Sequence, residues 1–269
     1  MATHTTDSAP RVSVPSRKGR VNRRSSRASV VETPALADLP LFAGVDEATL
    51  ARLSFDAKVE NFENGAVIFR QGDPVGAIVV ILHGYVKELR IASNGDETLI
   101  GVRADGETLG EPVSGGNDVY GVSAEAVGAT SVMKLPAQRF ARLMKESPSL
   151  CSAVAADARN KIATLVSEIE TLKAQNADQR LAHFLLSLCP PGEERCRFRL
   201  PYDKRLIAAQ LGVKQETLSR AFAKLRDYGV RTETRDILVE SVSRLVDQFD
   251  NLGRQTRLPS ERAARDDAA

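Results

Sequence analysis

The 269-residue sequence predicts an α+β chain in three parts: a small antiparallel β-roll, a long amphipathic helix and a winged helix-turn-helix. Three observations predict it. Short β-like runs punctuated by turn residues fill the stretch from Leu36 to Leu135. Apolar residues spaced by four or three run from Leu150 to Leu172. A helix, a glycine turn, a second helix and an alternating hairpin then follow one another up to Glu240, and each pattern has its own period.

The totals bound the reading. A chain of this length holds one or two domains, each able to bury a core. Lys plus Arg number 37 against 35 Asp plus Glu, a net charge of +2, so any basic patch has to be local. No apolar run approaches the ~20 residues of a membrane span, and the N-terminus lacks the apolar core of a signal peptide. No membrane partner and a cytoplasmic location are expected. Cys151, Cys189 and Cys196 form no CxxC pair, and free thiols in a reducing compartment are the expectation. No nucleophile–base set, metal cluster or Walker loop appears, so the chain does not read as an enzyme.

Residues 1–35 read as a disordered basic arm. Arg11, Arg17, Lys18, Arg20, Arg23, Arg24 and Arg27 lie there among serines with no acidic residue between them, too polar to bury a core. The arm either adds non-specific phosphate contacts through counterion release, or is an inert extension, or reflects an early start codon. Residues 251–269 read as a flexible tail.

Residues 36–146 read as the roll. LPLFAGVDEATLARL predicts a short helix capped by Asp46, with Leu50 and Leu53 on its buried face;. The runs AVIFRQGDP, AIVVILHGYVKELRI, ETLIGVRADGE, VSAEAV and TSVMKL are short strands. Asn94-Gly95-Asp96 is a hairpin signal because Asn and Gly tolerate positive φ;. Gly72 with Asp73-Pro74, and Gly84, mark further sharp turns;. Glycines at 106, 110, 115 and 116 give one loop the look of a phosphate cradle, yet no Lys, Arg or His occurs from Glu107 to Val127.

Pro136 opens a helix carrying Phe140, Leu143 and Met144, and Ser147 or Ser149 caps the next one;. Residues 149–176 form that long helix. Val154, Ala158, Ile162, Leu165, Ile169 and Leu172 continue the line from Leu150 with the narrow spacing of a coiled-coil seam;. So narrow a stripe calls for a parallel homodimer; the alternative is that it packs only on its own roll.

Residues 177–250 form the third part. A helix from Gln179 is stopped by Pro190-Pro191-Gly192, and CRFRLP is a short strand. In KRLIAAQLGVKQETLSRAFAKL, Leu206, Ile207 and Ala209 are expected to face a core, and Gly212 makes the turn. A second helix starts near Lys214. It buries Ala221, Phe222 and Leu225 and shows Gln215, Glu216, Ser219 and Arg220 outward;. VRTETRDILVE is the wing, and SVSRLVDQF closes the domain. The outward polar residues suit contacts to base edges in double-stranded DNA; Lys214, Lys224 and Arg226 suit phosphates, or are solvated surface.

This order resembles the Crp–Fnr superfamily of bacterial transcription regulators from about Leu39 to Phe249. ENGAVIFRQGDPVGAIVVILHGYVKELRIASNGDETLIGV carries the resemblance in the roll, and LIAAQLGVKQETLSRAFAKL carries it in the DNA module. The resemblance implies a cyclic-nucleotide-binding-type roll, a dimerisation helix and a winged helix-turn-helix, with RNA polymerase as a partner. In the cyclic-AMP branch a Gly-Glu pair and a later Arg-Ser hold ribose and cyclic phosphate. Gly110-Glu111 is similar to the first pair, but Tyr120-Gly121 stands at the Arg-Ser place. A buried phosphate without a cation is costly, so cyclic AMP is not the expected ligand. No cysteine precedes Cys151, so the N-terminal iron–sulfur cluster of the Fnr branch is not expected.

SEIETLKAQNADQRLAHFLLSL and PGEERCRFRLPYDKRLIAAQLGVKQETLSRAF look most like the dissimilatory nitrate respiration regulator (DNR) group. That likeness implies a response to nitric oxide through haem. The candidate axial ligands are His83 and His183, with His4 and Cys151 behind them;. Val79, Ile81, Val86, Leu99, Val122, Ala124 and Val132, with Gly110, Glu111 and Tyr120, outline the effector pocket; the same residues suit a solid core. Fnr-type recognition helices carry E-x-x-S-R, matched here by Glu216, Ser219 and Arg220 after Gln215. That implies the inverted repeat TTGAT-N4-ATCAA over a TGTGA half-site. An effector-independent repressor with a vestigial roll is the other reading.

Overall fold

The computed structural model describes residues 36–109 and 119–254, with side chains placed up to Phe249. The basic arm, the tail beyond Arg254, and Gly110 with Glu111 lie outside these residues. Sixteen helices and strands of regular structure follow in order among the described residues. They are α1 (Glu47–Ser54), β1 (Lys58–Phe62), β2 (Val67–Phe69), β3 (Ala77–Ile91), β4 (Glu97–Arg103), β5 (Thr108–Leu109), β6 (Ser123–Pro136) and α2 (Ala137–Glu146), then α3 (Pro148–Ala174), α4 (Ala177–Ser187), β7 (Cys196–Arg199), α5 (Lys204–Gln210), α6 (Gln215–Leu225), β8 (Val230–Glu233), β9 (Asp236–Val239) and α7 (Val242–Arg254). The last helix runs past the expected boundary at residue 250.

The roll is an antiparallel sheet ordered β1-β6-β3-β4, with β2 added to β6 and β5 to β3. Its frame is the pair of long strands β3 and β6. AIVVIL is a continuous apolar run because both faces of β3 are covered. Ile78 and Val80 join a core with Phe140, Leu143 and Leu150, while Val79 and Ile81 join a second core inside the roll;. Gly84 does not end a strand. β3 passes through it at φ +98°, where the register with β6 shifts, and a Cβ would lie 2.7 Å from the Ala129 carbonyl oxygen; only glycine tolerates both. VSAEAV and TSVMKL are likewise one strand. The Asn94-Gly95-Asp96 turn joins β3 to β4, and the Ala92 amide donates to the Asp96 carbonyl at 2.9 Å.

Asp46 caps α1 by accepting from the Thr49 amide at 2.8 Å. Its other oxygen accepts from Ser149 Oγ at 2.6 Å and Ser147 Oγ at 3.2 Å, which ties α1 to the start of α3. Ser147 caps α3 by accepting from the Leu150 amide. The Ser149 hydroxyl first, then the Thr49 amide, hold the Asp46 carboxyl well below the usual carboxylate range;. Two strands, β1 and the two-residue β5, have no counterpart among the runs read from the sequence. The KVENF of β1 pairs with β6 in the register Lys58↔Lys134 to Phe62↔Thr130.

The winged-helix module has its own core of Leu181, Leu185, Leu218, Phe222, Val230 and Leu245. Its sheet is ordered β7-β9-β8. The cysteines correct one expectation: Cys189 and Cys196 form a disulfide across the loop between α4 and β7, leaving Cys151 free and exposed. No helix among the described residues is long and apolar enough to cross a membrane.

Candidate nucleic-acid interface and sensor roll

The helix-turn-helix is built from α5 and α6. Asp203 caps α5 by accepting from the Leu206 amide at 2.8 Å. The chain then turns through Gly212 at φ +62°, packed closely enough that a Cβ would lie 3.2 Å from Leu172 and 3.4 Å from Arg180. On α5 the inward pair is Ile207 and Ala208; Ala209, expected inside, is exposed, because the helix begins at Lys204 and its inner face falls one residue earlier. On α6, Leu218, Ala221, Phe222 and Leu225 are buried. Gln215, Glu216, Ser219 and Arg220 are all exposed. Their spacing sets Ser219 one turn above Gln215 and Arg220 one turn above Glu216, so they share a face near the helix start. Glu216 in the first turn also complements the helix dipole;.

The three basic candidates are placed differently. Lys214 is exposed at the N-cap of α6. Lys224 pairs with Asp178 of α4 at 2.6 Å, and that hydrogen bond raises its pKa. Its charge is therefore already matched within the chain. Arg226 follows α6 and joins Arg197, Arg231, Thr232, Glu233 and Asp236 around an open groove of about 400 Å³ against the wing. The sequence reading missed this grouping. Its signal was strand pairing: Arg197 and Arg231 both lie opposite Leu238 across β7-β9-β8.

The long helix divides into two halves. Leu150, Ala153 and Val154 are buried against the chain's own roll. From Ala158 onward the expected seam is exposed, with Ile162 62%, Leu165 43%, Ile169 50% and Leu172 50% accessible, and Val166, absent from the expected seam, adds 51% to the same stripe. Polar contacts between the halves join helix to roll. Thr108 of β5 donates to Asp157 at 3.2 Å and accepts from Lys161, which also pairs with Asp157 one turn back on the same helix. Arg103 of β4 pairs with Glu88 at 2.9 Å and lies 4.0 Å from Glu168. The roll also touches the DNA module: Tyr85 stacks edge-on to Tyr202 at 5.5 Å, and Val102 and Val127 pack against the module's core. None of these long-range partners follows from local periodicity.

Inside the roll, Val79, Ile81, Val86 and Val132 are buried completely and Val122 packs against them. Leu99 is half-buried on β4. Tyr120 is buried in the same cluster. Its ring stacks on Phe69 with centroids 3.9 Å apart, and its hydroxyl donates to the Ala77 carbonyl at 2.8 Å and accepts from the Ala77 amide at 3.2 Å. Burial pushes the phenol pKa up. The candidate axial ligands among the described residues lie outside this buried cluster, so they do not fit a haem held within it. The His83 side chain is 84% exposed, 3.6 Å from Asp105 on the outer surface. His183 lies on α4 in the DNA module, 3.5 Å from Gln175. Cys151 is exposed at the start of α3.

Comparison with known proteins agrees with this division. Residues 59–147 match the family model of the cyclic nucleotide-binding domain, and residues 179–248 match that of the Crp-like helix-turn-helix domain. The chain is 31% identical over 173 residues to the transcriptional activator protein anr of Pseudomonas aeruginosa, a match covering 62% of this chain and 70% of that one. It is 27% identical over 192 residues to the nitrogen fixation regulation protein FixK of Bradyrhizobium diazoefficiens, covering 70% and 79%. The crystal structure of a Ruegeria pomeroyi protein proposed to bind cyclic nucleotides shares 36% identity and a TM-score of 0.62, covering 81% of this chain and 96% of that one.

Proposed function

Since the chain belongs to the Crp–Fnr family of transcription regulators, we propose that it acts as a cytoplasmic homodimer reading an Fnr-type inverted repeat, with RNA polymerase as its partner at promoters. The observation that carries this reading is the exposed quartet Gln215, Glu216, Ser219 and Arg220 at the start of α6. Glu accepts from cytosine N4 and Arg bridges guanine O6 and N7. Two such helices, brought together along Ile162 to Leu172, would enter successive major grooves about 34 Å apart. A gel-shift titration tests it. Wild type is expected to prefer TTGAT-N4-ATCAA over a TGTGA box, and Arg220→Ala to lose about 1–3 kcal/mol on the former. Equal binding to both boxes, or no change in the variant, overturns the assignment.

The effector is the finer part of the reading. The DNR-like stretches of sequence favour a gas signal, but the positions of His83 and His183 give no support to haem ligation by either within the roll. The match over residues 59–147 favours a cyclic nucleotide as the second reading. Against it stands Tyr120, whose ring occupies the roll interior where a phosphate partner would be needed. Whatever the signal, it has to bind two arrangements of the dimer unequally to switch DNA affinity. The Thr108–Asp157 and Arg103–Glu168 contacts between roll and helix are the natural places for that difference to act. Calorimetry with cyclic AMP separates the readings: heat of micromolar binding would restore the nucleotide.

A further inference from the structure

We propose that Cys189 and Cys196 are a reversible thiol–disulfide site, closed by exchange with a small-molecule disulfide of the glutathione class, and that closure stiffens the winged-helix module. The backbone sets it up. Cys189 follows the end of α4 and Cys196 begins β7, with Cα atoms 5.8 Å apart, inside the range a disulfide spans without backbone movement. A DNA-binding regulator works where thiol reductants keep disulfides rare, and those that form there are made and broken in use. For this compartment alone the proposal rests on the DNA-binding reading.

The loop between the two cysteines is not a loose surface turn. The Glu194 carboxylate accepts from the hydroxyls of Ser241 and Ser243 at 2.6 and 2.7 Å and from the Ser243 amide at 3.2 Å. The Glu194 carbonyl accepts from the Val242 amide at 2.7 Å. The loop thereby holds the start of α7. Cys196 itself lies opposite Val239, which lies opposite Val230, so it is part of the wing sheet. It also shares a core with Leu181 and Leu185 of α4 and with Leu218 and Phe222 of the recognition helix. The bond therefore joins the helix on which α6 packs to the sheet beside it.

The two sulfurs are unequally placed, and this orders the chemistry. Cys196 is 1% exposed, whereas Cys189 is half-buried at the loop. The Cys189 thiolate attacks the small disulfide, breaking its S–S bond, releasing one thiol and leaving a mixed disulfide at Cys189. The Cys196 thiolate then attacks the Cys189 sulfur and expels the second thiol. Two protein thiols lose two electrons and two protons, and the reagent is reduced to two thiols. Reduction runs the same steps backwards, entering at Cys189.

The test uses the full-length chain, equilibrated in glutathione buffers of graded ratio, quenched with an alkylating reagent and weighed intact. Cys189 and Cys196 are expected to pass together from mostly reduced to mostly oxidised over about a hundredfold change in the squared-thiol-to-disulfide ratio. Cys151, exposed and outside the pair, forms at most a mixed disulfide with glutathione, which the added mass distinguishes from the internal bond;. The closed form is expected to melt about 5–10 °C above the open one, and Cys189→Ser to melt like the open form at every ratio. A pair that remains reduced in all buffers, one that remains closed in millimolar reduced glutathione, or equal melting of the two forms overturns the proposal. If Cys189→Ser does not fold, the wild-type titration and melts decide alone. Gel shifts of the reduced chain test DNA binding separately, so the two readings fail independently.

Discussion

The winged-helix module and the roll put their cores to opposite uses. In the module, Leu218, Ala221, Phe222 and Leu225 are buried so that four polar side chains can stand outward on α6. In the roll the side chains gather inward, and Tyr120 is buried among them against Phe69. A surface site on a helix depends on which residues face out, and a period of 3.6 settles that. An interior site depends on how much volume the surrounding side chains leave, and no period records volume. The two modules thus differ in what a substitution is expected to reveal: outward residues should change recognition, and inward ones the room available.

The largest effect expected from this contrast is at Tyr120. Tyr120→Ala removes a ring packed on Phe69 and two hydrogen bonds to Ala77. Truncating a buried aromatic costs about 3–5 kcal/mol, so thermal melts of the variant should show the roll destabilised. Tyr120→Phe keeps the ring and loses about 1 kcal/mol with the hydroxyl. Equal melting of the two variants would show that the ring does not fill the roll. DNA recognition by the module's four outward residues should change in neither.

The long helix carries the same contrast within one element, and it ranks next. Ile169 is 50% exposed and Val154 is 7% exposed, although both stand in one apolar line. Ile169→Asp is expected to cost about 2 kcal/mol or more of association per protomer, seen by sedimentation as monomer with its melting temperature kept. Val154→Asp, buried on the chain's own roll, should instead lower the melting temperature. A dimer that survives Ile169→Asp would refute the proposed seam.

The same helix shows what the sequence could and could not convey. Its spacing correctly marked one apolar face, but spacing carries no information about what covers that face. The roll takes Leu150 to Val154 and leaves the rest. The hairpin at Gly95, the cap at Asp46 and the buried face of α6 were readable because each is a local rule. β1 was not, since KVENF has a weak apolar alternation and half-exposed residues at the sheet margin. The Cys189–Cys196 bond and the Tyr85–Tyr202 contact were unreadable for another reason. Each depends on two segments meeting, which composition and spacing do not specify. In the sequence Tyr120 stands out only for the charge it lacks; its burial against Phe69 emerges from the packing.

On the outward surface the effects grade downward from base to phosphate. Arg220→Ala should cost about 1–3 kcal/mol on the preferred box and flatten discrimination at one base pair. The smallest effect separates two lysines that look alike in sequence. Lys214 is exposed at the start of α6, while Lys224 is held by Asp178 at 2.6 Å. A lysine that neutralises a phosphate releases a counterion, so its loss lowers the slope of log affinity against log salt by about 1. Lys214→Gln should show that drop. Lys224→Gln should leave the slope unchanged, because its charge is already matched by a carboxylate of the same chain. Equal slopes for the two variants would mean that DNA pulls Lys224 away from Asp178, and that the module's surface is remade on binding where its core is not.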